Sequence, residues 1–231
     1  MASENELKQR LEERRRQKVD SQRLIKATTD KSAPKGAKKA YRAFKARLRA
    51  VLEAAQKAIP ALRKRIQKKH NDGPKKAVAA AKKVVGVTEN PPYSNLGPGF
   101  ITDCQRYTGY NVPPGVYWCG CAVCQWVVKD GGANIPNRIR LGYDGYIISD
   151  ARTNSNGLKQ VRLADAKKGD IIVYNFHHIE LCVEDYDGNG VIHTVGGNTS
   201  PGTSGSQSNG GGVYERYRPV GDIVCVARPA Y

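Results

Sequence analysis

Between residues 4 and 28 the chain contains neither Gly nor Pro and is dense in Glu, Arg, Lys, Gln and Leu, which predicts a helix. Leu7, Leu11, Gln22 and Ile25 give that helix only a thin apolar stripe, and Arg14-Arg15-Arg16 is expected to face solvent. Beyond a linker at 28–36, Tyr41, Phe44, Leu48, Val51, Leu52 and Ala55 recur at i, i+3, i+4 spacing, predicting an amphipathic helix from about 37 to 70. Pro60 is expected to kink or break it, and Asn71-Asp72-Gly73-Pro74 to end it at a domain boundary.

Past that boundary the pattern predicts a short helix over 75–85, an irregular stretch from Asn90-Pro91-Pro92-Tyr93, and a helix over 100–107. Pro113-Pro114-Gly115 closes this region, and a buried helix over 118–129 follows, ended by Asp130-Gly131-Gly132. After a polar, loop-rich stretch, short β-branched or aromatic runs at 170–174, 178–184, 190–195, 213–218 and 223–227 predict strands. The Gly/Ser-rich segment 201–212 reads as a mobile loop between two of them. Helices first and antiparallel strands afterwards imply an α+β domain over 74–231, preceded by a helical arm over 1–73.

Charge sharpens that division. Residues 1–73 hold 22 Lys and Arg against 8 Asp and Glu, which is +14 of the chain's total of +17. The arm is therefore strongly basic, and the 158 residues after it are nearly balanced. No segment approaches the roughly 18–20 uninterrupted apolar residues that span a bilayer. The first 30 residues carry no apolar run of the secretory-signal kind, so the chain is expected in a cytosol or to leave by a route its sequence does not encode. Six Cys in 231 residues are too few for a disulfide scaffold, and three crowd into 119–124, which suits reduced thiols.

Cys119 follows a Pro/Gly loop and a Trp at the predicted start of a buried helix. Free backbone N–H groups and the helix dipole favour a thiolate there, and the same amides suit the oxyanion of a tetrahedral intermediate. A thiolate nucleophile needs a base, and the base an orienting acceptor. His178 comes 59 residues later in a predicted strand, with His177 and His193 as rivals, and Asn198 follows 20 residues after His178. Alternation places His178, Glu180 and Cys182 on one face and Ile179, Leu181 and Val183 on the apolar one, with His177 towards the core side. Each residue also has a plain structural reading: a buried core thiol, a strand histidine, a turn asparagine.

The joint pattern resembles the CHAP domains, the papain-like cysteine- and histidine-dependent amidohydrolases/peptidases of phage endolysins and bacterial wall hydrolases. Five stretches carry the resemblance: AVAAAKKVVGVTENPPYSN (77–95), YWCGCAVCQW (117–126), KGDIIVYNFHHIELCV (168–183), VGGNTS (195–200) and GGGVYERYRPVGDIVCVARPAY (210–231). Their order and spacing match across roughly residues 75–231. The resemblance implies Cys119 as nucleophile, His178 as base and Asn198 as polar orienter, with Asn95 as a second oxyanion donor and Trp118 beside the substrate. It implies acyl transfer on an amide of peptidoglycan, either the lactyl–alanine amide or a peptide cross-link, with no cofactor. This sequence departs from the pattern in three places. Gly196 stands where many members carry Glu, leaving Asn198 without an acidic companion. Glu180 stands where a small residue is usual, either to raise the pKa of His178 or to bind a cationic substrate group. The spacing from the nucleophile to the second Trp is one residue longer. No Asp-rich calcium loop precedes Cys119.

Two other classes compete. Cys119, Cys121 and Cys124 with His177, His178 or Cys182 would make a zinc-binding, non-enzymatic module, although structural zinc prefers C-x2-C knuckles on loops. The basic arm suits nucleic acid without sequence specificity, and it suits anionic wall polymers or an acidic membrane surface equally well. A free endolysin and a virion-associated lysin, with the arm as its docking element, both fit these expectations.

Overall fold

The computed structural model describes residues 4–27, 38–109, 116–202 and 204–231. The chain divides into two compact units, Met1–Lys69 and His70–Tyr231. In the first, helix α1 (Glu4–Ala27) and the leading part of α2 (Lys38–Lys83) share a narrow core in which Leu7, Leu11 and Ala55 are buried. Phe44 and Val51, expected on the inner stripe, are instead exposed, while Leu48 and Leu52 are half-buried. The predicted linker at 28–36 and the Pro113-Pro114-Gly115 stop lie outside the described residues.

Helix α2 runs through both Pro60 and the predicted stop at 71–74. Gly73 and Pro74 are packing residues rather than breakers. A Cβ on Gly73 would come within 2.5 Å of the Tyr231 ring, and a Cβ on Gly169 within 2.6 Å of Pro74. The Tyr231 hydroxyl donates to the Gly169 carbonyl at 2.7 Å, so the end of the chain is fastened against this turn of helix. Contacts of this kind outweigh the roughly 3 kcal/mol that an interior Pro costs a helix.

The second unit is α+β. Helices α3 (Phe100–Thr108), α4 (Cys119–Cys124, continued by a π-helical turn over Gln125–Asp130) and α5 (Asp144–Arg152) accompany a six-stranded antiparallel sheet. Its strands are β1 (Leu158–Val161), β2 (Ile171–Tyr174), β3 (His178–Cys182), β4 (Val191–Thr199), β5 (Gly212–Pro219) and β6 (Ile223–Pro229), in the order β1-β6-β2-β3-β4-β5. Alternation along the strands builds two cores. Ile171, Val173, Ile179 and Leu181 join Trp118, Ala122, Val123 and Trp126 in the large one, while Ile172, Tyr174, Cys182, Ile192 and Val226 form a smaller one. Strand β1 and helix α5 fall in the stretch whose polar composition reads as loop.

Gly120 lets α4 press against the turn at 138–142: a Cβ there would lie 2.3 Å from the Leu141 carbonyl oxygen and 2.9 Å from Gly142 Cα. Backbone cannot yield as a flexible side chain does. Gly120→Ala is therefore expected to cost about 1–3 kcal/mol. At roughly 2–4 °C per kcal/mol for a unit of this size, calorimetry should record a melting midpoint about 2–12 °C lower.

Candidate active site

The start of α4 is held from two sides. Trp118 is fully buried, its ring edge-on to Phe100, and its indole N–H donates to Glu89 Oε1 at 2.8 Å. Glu89 Oε2 accepts from the Asn95 backbone N–H at 3.0 Å. Asn198 completes the cluster. With its amide oriented so that oxygen faces a donor and nitrogen faces acceptors, it accepts from the Trp118 backbone N–H at 3.2 Å. The nitrogen then faces Gly210 O at 2.8 Å, Asn95 Oδ1 at 2.9 Å and Glu89 Oε1 at 3.2 Å. Cys119, 6% exposed, is thus the first helical residue after a fixed peptide. Its own N–H and that of Gly120 precede the first intrahelical bond, which Ala122 makes to the Trp118 carbonyl.

His178 opens β3 after a left-handed turn at His177, φ 57°. That turn points His177 outward, contrary to the strand alternation expected for it; its side chain is 87% exposed and its Nδ1 lies 2.8 Å from Asp144 Oδ2. His178 is fully buried and stacked near Phe176, with ring centroids 5.9 Å apart. Its Nε2 lies 3.1 Å from Glu180 Oε1. Its Nδ1 has no hydrogen-bond partner among the described residues, and Cys119 is the neighbouring group whose charge acts on the ring beside that of Glu180.

The residue on the far side of the imidazole is therefore Glu180, where Asn198 was expected. A bulge between Gly196 and Thr199, with Asn198 at φ 58°, turns the Asn198 side chain away towards Glu89. Glu180 lies directly opposite Gly196 in the β3–β4 register, and a Cβ at 196 would fall 2.6 Å from Glu180 Oε1. The Gly that seems to deprive the site of an acid is the space that an acid on the neighbouring strand occupies.

Glu180 is fully buried and accepts from four side chains: His178, Tyr174 Oη at 3.1 Å, Thr194 Oγ1, and Arg218 Nη2 at 2.6 Å. It is closed to any cationic substrate group. Burial alone would raise its pKa, but hydrogen bonding and attraction to His178 and Arg218 hold it well below the usual carboxylate range. Burial alone would likewise lower His178; its attraction to Cys119 and to the hydrogen-bonded Glu180 raises it to about 9. Tyr174 is pushed well above 10 by burial and by Glu180, so it remains a neutral donor. Burial pushes Cys121 and Cys124 up to about 11, the behaviour of core thiols rather than metal-binding thiolates. Among the described residues no three His, Cys, Asp or Glu side chains converge as a ligand set.

Trp118 and Asn95, expected beside the substrate, thus serve the framework behind Cys119, with Asn95 6% exposed. Glu89, Tyr174, Thr194 and Arg218 carry no such expectation from sequence. Arg216 and Arg218 do leave a trace: two arginines at alternate positions of one strand share a face, and both are buried.

The linkage of these groups has a sign. The raised His178 contributes stability that is full below about pH 6.5 and lost as pH rises through about 9. The depressed Glu180 contributes stability that is full above about pH 4.5 and lost on acidification. Glu180→Gln should bring the His178 midpoint, followed by imidazole NMR, down by about one unit or more. It should also cost about 3–5 kcal/mol in urea unfolding at pH 6, because it leaves Arg218 buried without its anion.

Comparisons with known proteins add little to this geometry. No family model and no curated protein matches the chain. A solved structure, described as the crystal structure of a wild type endolysin LysIME-EF1, aligns at 17% identity with a TM-score of 0.35, over 56% of this chain and 64% of that one. The chain thus spans less than two thirds of that protein's length, and a likeness this loose carries no argument about either fold or function.

Proposed function

We propose that the His70–Tyr231 unit is a cysteine amidohydrolase/peptidase acting on peptidoglycan, with Cys119 as nucleophile, His178 as base and Glu180 as its orienter. The observation that carries this reading is a fully buried imidazole with one nitrogen bonded to a carboxylate, the other nitrogen unpartnered, and Cys119 as its neighbouring nucleophile. An imidazole that keeps its proton to about pH 9 supports His178 as the acid for the leaving nitrogen at neutral pH. The substrate class rests on the resemblance of five ordered stretches to CHAP domains, and the endolysin role rests on the same resemblance.

In this mechanism the Cys119 thiolate adds to the amide carbonyl, and the N–H groups at the start of α4 receive the oxyanion. His178 gives its Nδ1 proton to the leaving nitrogen, the C–N bond breaks, and a thioester remains on Cys119. Neutral His178 then takes a proton from water as hydroxide adds to the thioester. Collapse breaks the C–S bond, releases the carboxylic acid and restores the thiolate–imidazolium pair. A cavity of about 210 Å³ beside Glu89, bordered by Tyr93, Tyr214 and Pro201, offers room for a substrate group.

The basic first unit fits attachment to anionic polymers of the bacterial envelope. Arg10, Arg14 and Arg65 border a cavity of about 430 Å³ between α1 and α2, floored by Ala58, Ala61 and Leu62. A virion-associated lysin or a nucleic-acid-binding arm would draw on the same charge.

Digestion of purified peptidoglycan, with mass spectrometry of the fragments, tests the catalytic reading. Fragments ending at muramic acid are expected from an amidase and new peptide amines from an endopeptidase; Cys119→Ala should release neither. Activity surviving in that variant would end the proposal. For the arm, the combined Arg10→Gln, Arg14→Gln, Arg65→Gln variant should lyse whole cells several-fold more slowly at low salt, with hydrolysis of soluble muropeptides unchanged.

A further inference from the structure

We infer that Gln207, on the loop joining β4 to β5, is a positioning residue for the catalytic base, acting through Arg218 and Glu180. The inference rests on the reading of Cys119 and His178 as nucleophile and base, and it assigns a role to a segment whose composition reads as a mobile connection.

The difficulty that Gln207 resolves is electrostatic. Arg216 and Arg218 stand two residues apart on one face of β5, both more than nine-tenths buried, with Glu180 as the carboxylate bonded to Arg218. Two guanidinium groups in that setting repel, and burial together with Arg218 lowers the pKa of Arg216. Repulsion of this kind would swing Arg218 off Glu180 unless an acceptor sat between the two cations. Gln207 Oε1 is that acceptor, taking a hydrogen bond from Arg216 Nη2 at 2.9 Å and another from Arg218 Nη1 at 2.6 Å.

The other end of the amide is spent on the loop. Gln207 Nε2 donates to the carbonyls of Ser204 at 3.3 Å and Gly205 at 3.2 Å, which fixes which way the amide faces. The Gln207 carbonyl accepts from Thr199 Oγ1 at 3.1 Å, and that same hydroxyl accepts from Arg218 Nη2 at 3.1 Å. Arg216 Nη2 also donates to the Gly202 carbonyl. An unbroken series of hydrogen bonds therefore runs from the loop through Gln207, Arg218 and Glu180 to His178. Within PGTSGSQSNGGG, residues 201–212, Gln207 has the longest side chain, and it reaches Arg216 and Arg218.

The ionisable and charged groups around this series are few. Cys119 on α4 and Glu180 on β3 face His178; Tyr174 on β2, and Arg216 and Arg218 on β5, surround Glu180. Removing Gln207 alters none of those residues. It loosens the loop and Arg216 as well as Arg218, and only the hold on Arg218 reaches the proton on His178, through Glu180.

The test compares the full-length protein with Gln207→Ala and with Gln207→Glu, which keeps an accepting oxygen at the same reach. Two readouts are used: the His178 imidazole midpoint by NMR, and the pH profile of Cys119 alkylation by iodoacetamide, located by peptide mass spectrometry. In Gln207→Ala the midpoint should fall by about one unit, and the upper inflection of the alkylation profile should fall with it. Gln207→Glu, which keeps accepting oxygens between the arginines and adds a negative charge, should hold both at or above their wild-type values, and the melting midpoint of Gln207→Ala should stay near that of the wild type. Superimposable behaviour of Gln207→Ala and wild type would overturn the role given to Gln207 and leave the Cys119–His178 reading standing. A wild-type His178 that titrates near 6.5 would instead remove the catalytic pair itself, and the positioning role with it. Equal losses in Gln207→Ala and Gln207→Glu, accompanied by a lower melting midpoint in both, would mark Gln207 as a purely structural residue and also refute the inference.

Discussion

A carboxylate sealed inside a β-sheet is the constraint on which the rest of this unit turns. Taking an isolated carboxylate out of water costs several kcal/mol, and only close, well-aligned donors repay it. Glu180 on β3 draws those donors from three other strands: Tyr174 from β2, Thr194 from β4 and Arg218 from β5. Because a slip of one residue turns every side chain to the opposite face, the registers of four strands must be right together for this charge to be tolerated. The arrangement that tolerates it also leaves one oxygen for His178.

A second buried carboxylate does the corresponding work on the thiol side. Glu89 gathers the Trp118 indole, the Asn95 backbone and the Asn198 amide, and so fixes the peptide from which Cys119 begins its helix. The two acids divide the labour. One holds the segment that carries the sulfur, and the other holds the ring that faces it. Neither touches the other's partner, so thiol and imidazole are brought together by two separate frameworks meeting at the end of the sheet.

Local pattern made the α+β class legible, because helical spacing and strand alternation are properties of neighbouring residues. The helices at 4–27 and 100–108 and most strands were readable for that reason. Positions whose meaning depends on distant residues were not. Asn71-Asp72-Gly73-Pro74 has the composition of a turn, and only Tyr231 and Gly169, far along the chain, show why Gly and Pro stand within a helix. Order and spacing suggested that Cys119 and His178 would meet, whereas the acceptor bonded to the imidazole is Glu180 on β3 rather than Asn198 on β4. A bulge that redirects Asn198 and a cross-strand pairing that brings Glu180 against Gly196 are matters of register, which no short window of sequence contains. The loop at 201–212 was legible as a loop, but Gln207 acquires meaning only beside the two arginines that follow it.

The pairing of Glu180 with Gly196 bears on how such a site can change over time. Many members of the pattern this chain resembles carry an acid at the position of Gly196 and a small residue at that of Glu180. Acids at both positions would crowd two charges into space for one, and small residues at both would leave Arg218 buried without an anion. The two positions are therefore coupled in stability, and neither can change alone without cost to the sheet that holds them.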